Sequence, residues 1–321
     1  LNRFINVDVD KSSNVQKLVI TVYNPVTVEF DLYKKDTSGN AIKGAGFIIN
    51  RTLVKSKVQN GVNTPKTVTT NSDSNGLIKV TDEWLDPGVY KYEVTETATA
   101  GKQYINILQN CKAVIYVNVA ENGDVSIVAD KEGNKFEQNT KYKYYIEGFN
   151  GRVVDTETQN IIHGYLTLSN KEVKNSHDEV DLAIVNPVQF NVDIVKVDQR
   201  KATLNGTKFS VVRDNNVKVI DNKDITTDIE CTEKYLQPGE HTYRITEDST
   251  LAGYINILKG RFIKVKTELT STGVLSIKDA SGNKSNYFEI YEGKIDEAQN
   301  AKLLDRTQYK DLYDKVGVES V

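Results

Sequence analysis

Residues 88–107 read GVYKYEVTETATAGKQYINI. The first half alternates with the period of two that marks a half-buried strand. Tyr90, Tyr92 and Val94 share one face, and Lys91, Glu93 and Thr95 share the other. The next residue on the apolar face is Glu96. A carboxylate aimed at a core is costly unless another group there answers it.

The same alternation recurs outward from this stretch, in KLVITVYNPVTVEFDLYKKD (17–36) and QFNVDIVKVD (189–198). Turn-forming clusters such as DTSGN, TNSDSNG, AENGD and DASGN separate the alternating runs. The reading is an all-β chain. One segment, DEAQNAKLLDRTQYKDLYDKV (296–316), is the best helix candidate. KYKYYIEGF (141–149) carries aromatics on both faces, as a strand packed in a sheet or an interface would.

The chain has 321 residues, enough for about two domains. Its net charge of −3 and the lack of a basic stripe argue against nucleic acid as a partner. No apolar run approaches the roughly 18 residues of a membrane span. With no Met and no leader-like segment, the sequence reads as a segment of a longer chain. Cys111 and Cys231 sit in unlike contexts and read as two separate thiols rather than a repeated disulfide.

The chain repeats itself with a period of roughly 150–160 residues, the size of a whole domain. WLDPGVYKYEVTET (84–97) matches YLQPGEHTYRITED (235–248), and YINIL occurs at 104 and at 254. AIVNPVQFNVDIVKVD (183–198) matches TVYNPVTVEFDLYKKD (21–36). The repeat phase divides the chain into residues 1–24, the closing strand of a preceding repeat or an appended strand; 25–187, domain one; and 188–321, domain two, truncated before its last strand. Strand parity then finds further inward polar residues. Lys34 follows Val28, Phe30 and Leu32; Lys196 follows Phe190, Val192 and Ile194; Glu247 follows Tyr243 and Ile245. Asn186 follows Val180, Leu182 and Ile184, and Asn24 follows Leu18, Ile20 and Val22. Buried polar groups of this kind need one another.

At these residues the sequence resembles the Cna B-type domains of Gram-positive surface adhesins and pilins. FDLYKKDTSGNAIKGAGFII, the GVYKYEVTETATAGKQY run and the closing LAIVNP carry the likeness. Unit two keeps Lys196, Asp198, Leu236, Pro238, Gly239, Glu247 and Gly253-Tyr254, but has Thr207 where Ala is usual and Asp248 where Thr is usual. Both units lack the Ala-Pro that often follows Glu-Thr, and the insertion at about 135–178 is longer than in a minimal member.

The resemblance implies tandem immunoglobulin-like antiparallel β-sandwiches. It also implies an intramolecular isopeptide bond between Lys34 and Asn186, with Glu96 as the internal catalyst and Glu247 as its equivalent in unit two. Lys196 and Asn24 are then isopeptide-type residues without a mate in their own unit. Two functions fit. One is a structural stalk of a cell-surface adhesin or pilus-like fibre, non-enzymatic and extracellular, whose partners are neighbouring repeats. The other is an adhesin module that recognises a host matrix protein or glycan through the long insertions.

Other chemistry is weakly signalled. His163, His177 and His241 are scattered, and no HExxH, GxSxG or P-loop is present. His241 reads as a packed histidine. DVDKSSN (8–14) lacks the Gly and Glu of a calcium loop, so no metal or cofactor is expected. Trp84, Tyr90 and Tyr92 could form a sugar platform, but the parity of the tyrosines favours core.

Overall fold

The computed structural model describes residues 5–12, 15–22, 26–58, 64–171, 179–226 and 228–316. The chain divides into two units, residues 1–102 with 106–186, and 103–105 with 187–321.

Unit one contains β1 Ile5–Asp10, β2 Lys17–Val22, β3 Val26–Asp36, β4 Gly46–Ser56, β5 Lys66–Asn71, β6 Leu77–Leu85, β7 Gly88–Ala98, β8 Cys111–Val119, β9 Val125–Val128 and β10 Tyr145–Gly148. A short helix α1, Thr156–His163, follows, and then β11 Leu166–Lys171 and β12 Glu179–Asn186. Two sheets face each other. One has the order β11-β12-β3-β6; the other runs β10-β8-β7-β4-β5, with β9 on β8. The core lies between them. Val28, Phe30, Leu32, Val180, Leu182 and Ile184 of the first sheet pack in one cluster with Phe47, Tyr92, Val94 and Ile115 of the second. The Phe30 and Tyr92 rings stack across the gap at 4.8 Å.

The alternation read from residues 88–96 holds to its last residue. Tyr90, Tyr92, Val94 and Glu96 are all buried, and the intervening residues are not. Among the described residues all strand pairs are antiparallel except β3 with β12, which run parallel with Lys34 opposite Ile184 and Asp36 opposite Asn186. A parallel neighbour requires a crossover rather than a hairpin. β3 and β12 therefore finish at the same end.

Unit two contains β13 Val188–Ile194, β14 Lys208–Arg213, β15 Val217–Asp224, β16 Ile229–Leu236, β17 Gly239–Ser249, β18 Arg261–Leu269, β19 Leu275–Lys278, β20 Glu289–Glu292, β21 Lys302–Leu303 and a helix α2, Lys310–Val316. Its larger sheet has the order β15-β14-β17-β18-β20-β21, with β19 on β18. Its second sheet has only β13 and β16.

The motif residues have local reasons. The Asp of Lys-x-Asp closes the turn after the first strand: Asp36 accepts from Ser38 and Asn40 backbone N–H, and Asp198 from Arg200 and Ala202. Gly44 and Gly206 occupy the left-handed region at φ 87° and 82°, which a side chain would strain. Trp84 and Tyr235 are also left-handed, at φ 63° and 61°, just ahead of the Pro-Gly turns, where the pairing of each strand with its neighbour is interrupted.

The helix expected over 296–316 forms only at its end, from Lys310 to Val316. Lys302 and Leu303 are instead recruited as an edge strand against β20, and Leu304 N–H bonds the Ile290 carbonyl, burying Leu304. Helix α1 was not evident from periodicity; eight residues are too few to show it. Its signal was the cap, where Asp155 accepts from Thr158 N–H at 2.9 Å. Of KYKYYIEGF, only Tyr145–Gly148 is strand, and it pairs with β8.

Candidate functional site

Three inward polar residues of unit one meet at one end of the core. Lys34, Glu96 and Asn186 have relative exposures of 0%, 3% and 0%. The Lys34 Nζ lies 3.2 Å from each Glu96 carboxylate oxygen. It also donates to Asn186 Oδ1, and Asn186 Nδ2 donates to Glu96 Oε1 at 2.8 Å. Glu96 thus reaches the amide nitrogen, and Lys34 the carbonyl oxygen. The Phe47 ring flanks the amine, its centroid 5.6 Å from Nζ.

Burial governs the electrostatics. Desolvation pulls Lys34 down to about 8, although the Glu96 charge and hydrogen bond oppose it. Desolvation likewise raises the Glu96 carboxyl, against the opposing pull of Lys34 and the Asn186 hydrogen bond. Both shifts favour a neutral amine beside a protonated acid.

Asn106 was missed by the sequence reading. Its Nδ2 donates to the Glu96 carbonyl at 2.8 Å, and its Oδ1 accepts from Leu108 N–H. Asn256 does the same for Glu247 and Leu258. Asn106 and Asn256 are the Asn of the two YINIL stretches, so the repeat itself carried the signal. A second repeated cluster ties the two sheets of unit one. Buried Asp82 of β6 meets Arg51 of β4 at 3.1 Å, Lys66 of β5 at 2.9 Å and Tyr92 of β7 at 2.7 Å. Its counterpart in unit two is Glu233, which meets Arg213 at 2.6 Å and Tyr243 at 3.4 Å.

In unit two the structure brings Lys196 and Glu247 together, with Nζ 3.2 Å from Oε2. Glu247 is buried, while the Lys196 side chain keeps 18% exposure. Asn24, His177 and part of DVDKSSN lie outside the described residues. His241 is held by Asp214 and the Gln237 carbonyl, each at 2.8 Å. Cys111 and Cys231 are both free; burial lifts the Cys111 thiol to about 11. The aromatic platform does not form, because Tyr90 and Tyr92 are buried while Trp84 is 54% exposed.

No curated protein matches the chain. Among solved structures it is similar to the pilus adhesin SpaC from Lactobacillus rhamnosus GG, at 14% identity over 86% of this chain and 30% of that one, with a TM-score of 0.27. It is also similar to the streptococcal ancillary pilin, at 18% identity over 84% of this chain and 66% of that one, TM-score 0.24. The shaft pilin SpaA from Lactobacillus rhamnosus GG matches at 11% identity over 72% and 90%, TM-score 0.22. The chain therefore spans less than a third of the full SpaC adhesin. A family model, the SpaA prealbumin-like fold domain, matches residues 28–133 and again 190–281, together more than half of the chain. On that match, and with the same strand and turn motifs in both segments, this chain belongs to the SpaA family of prealbumin-like fold domains.

Proposed function

We propose that this chain is a non-enzymatic, extracellular stalk segment of a Gram-positive surface adhesin or pilus-like fibre. Residues 25–187 and 188–321 are its repeat domains, and domain one locks itself with a Lys34–Asn186 isopeptide bond. The carrying observation is the buried contact of Lys34, Glu96 and Asn186. Three polar groups buried in a β-sandwich core are a poor way to gain stability alone.

The chemistry is one internal turnover. With its proton passed to Glu96, the Lys34 amine attacks Cγ of Asn186, forming the new C–N bond. Glu96 bridges amine and amide nitrogen, so it delivers the proton it holds to Nδ2 and takes up in its place the one that the attacking nitrogen sheds. The Cγ–Nδ2 bond breaks and ammonia leaves. Contact between amine and amide supplies the high effective molarity that an unactivated amide demands. Because β3 and β12 are parallel neighbours, the bond joins the first strand directly to the last. Tension entering at β3 then leaves through β12 without loading the hydrogen bonds between the other strands.

The test is the intact mass of the denatured chain. It should be lighter than the sequence mass by one ammonia, with a branched peptide joining Lys34 to Asn186. Glu96→Ala should restore the full mass, and so should the near-isosteric Glu96→Gln, which keeps the shape but not the acid. A wild-type chain of full sequence mass refutes the proposal.

A further inference from the structure

Strand β11 is an edge. β12 pairs with it on one side, and among the described residues no strand pairs with it on the other. The register shows which of its backbone groups face the free side. Val185 N–H donates to the Tyr165 carbonyl, in line with the pairing of Leu166 with Ile184. Hydrogen-bonded pairs alternate along an antiparallel ladder. Thr167 and Ser169 therefore turn their N–H and C=O to β12, while Leu166 and Leu168 turn theirs away. The Tyr144 hydroxyl donates to the Leu166 carbonyl at 3.4 Å. The N–H and C=O of Leu168 have no partner among the described residues. Such groups on an edge are a template for a further strand.

A groove of about 560 Å³ runs beside this edge. It is lined by residues 166–169 of β11, by residues 141–144, which lead into β10, and by Ser126 and Ile127 of β9. A strand laid along residues 166–169 spans about 14 Å. The bottom is apolar: Tyr144 and Leu166 are buried, and Ile127, Tyr142 and Leu168 pack partly buried against the core. Helix α1 braces it. His163 stacks on the Tyr142 ring with centroids 3.7 Å apart, and its Nδ1 lies 3.1 Å from the Tyr144 hydroxyl. The rim is cationic. Lys141 and Lys143 are exposed, and no acidic residue lines the groove. On the neighbouring strands Lys91 and Lys112 are paired with Glu93 and Glu147, whereas Lys141 and Lys143 form no ion pair among the described residues. Strands β10 and β20 pair with matching stretches of β8 and β18. Counted back from them, unit two has Ser285 and Tyr287 where unit one has the two lysines. The shared fold therefore does not require these charges.

We propose that this groove binds an extended peptide of alternating apolar and acidic side chains, added to β11 as a further strand. The peptide backbone pairs with the outward N–H and C=O of Leu168. One set of its side chains points between the sheets, onto Ile127, Tyr142 and Tyr144. The other set points out, where carboxylates come within reach of Lys141 and Lys143. Backbone pairing supplies affinity, and the two lysines select an acidic partner. Neither Lys34 nor Glu96 lines the groove, so binding does not depend on a bond at Asn186.

The probe is a fluorescein-labelled hexapeptide of alternating Glu and Val, titrated with the full chain and followed by fluorescence anisotropy. Binding should saturate and weaken as salt is added. The Lys141→Glu/Lys143→Glu double variant, changed only at exposed positions, should bind at least about tenfold more weakly, since two ion pairs give way to repulsion. Two further peptides test the edge on the unaltered chain, one N-methylated at every Glu and the other at every Val. Only one of these sets of N–H groups faces β11, so one peptide should lose binding and the other keep it. No saturable binding overturns the inference, as does equal binding by the double variant. Two N-methylated peptides that behave alike also overturn it. An oligosaccharide of glucuronic acid that binds where the peptide does not overturns it too, because that ligand uses the lysines and not the edge.

Discussion

At the level of single residues, the decisive fact is that Lys34 and Glu96 share a buried site with an amide. A lone buried lysine would shed its proton, and a lone buried glutamate would hold one. Placed together, each opposes the other's shift, yet burial still lowers the lysine to about 8 and raises the glutamate. The sign of the linkage can be checked in Asn186→Ala, which keeps both groups but has no electrophile. Lys34 titrates at about 8 in the folded chain against 10.5 when unfolded. Between those values the unfolded state binds more protons, so stability must rise with pH across that window. Relative to the Lys34→Met/Asn186→Ala double variant, the urea midpoint of Asn186→Ala should increase from pH 8 to pH 10.5. A flat difference would mean that burial does not lower Lys34 and that the folded chain keeps the amine charged across this window.

At the scale of elements, β12 is the strand on which the site depends. It supplies Asn186 and also seals the core beside β3, with Val180, Leu182 and Ile184 all at 0% exposure. Truncating Leu182 to Ala should cost about 2–5 kcal/mol, as for other fully buried leucines. The measurement belongs in the Glu96→Ala background, where no cross-link complicates the unfolding of the unit; guanidinium titrations of the single and double variants give the difference. Loss of bond formation alongside stability in Leu182→Ala alone would show that the register of β12 sets the approach of Asn186 to Lys34. Asn106 acts one element away, by fixing the carbonyl of Glu96 at the end of β7.

At the scale of the whole molecule, the proposed bond closes a loop of 152 residues. By the loop-entropy account of cross-links, a closure of that length stabilises the fold by about 5 kcal/mol. Its larger effect is mechanical. In a single-molecule pulling experiment the wild-type chain should extend by about 500 Å less than Glu96→Ala, because residues between Lys34 and Asn186 cannot be drawn out. Equal contour lengths would place the load path elsewhere. Unit two, where Phe190, Val192 and Ile194 of β13 are only half-buried, should yield first in both chains.

The strands, the repeat and the faces on which Lys34, Glu96, Asn186 and Glu247 lie are all legible in the order of residues. Side-chain alternation is a property of one extended backbone, so a residue's side of the sheet can be counted from its neighbours without knowing the fold. Which strands are neighbours emerges only from the folded packing. The parallel pairing of β3 with β12 brings Lys34 to Asn186, 152 positions away, and no local pattern encodes it. The same holds for the capture of Lys302 and Leu303 by β20 in place of a helix, where edge pairing and the burial of Leu304 outweigh helical propensity. It holds too for Asn106, whose role appears only once the YINIL turn folds back on the end of β7. Alternation is short-range and legible; neighbour choice is settled by the packing of distant apolar surfaces, which one strand's sequence does not contain.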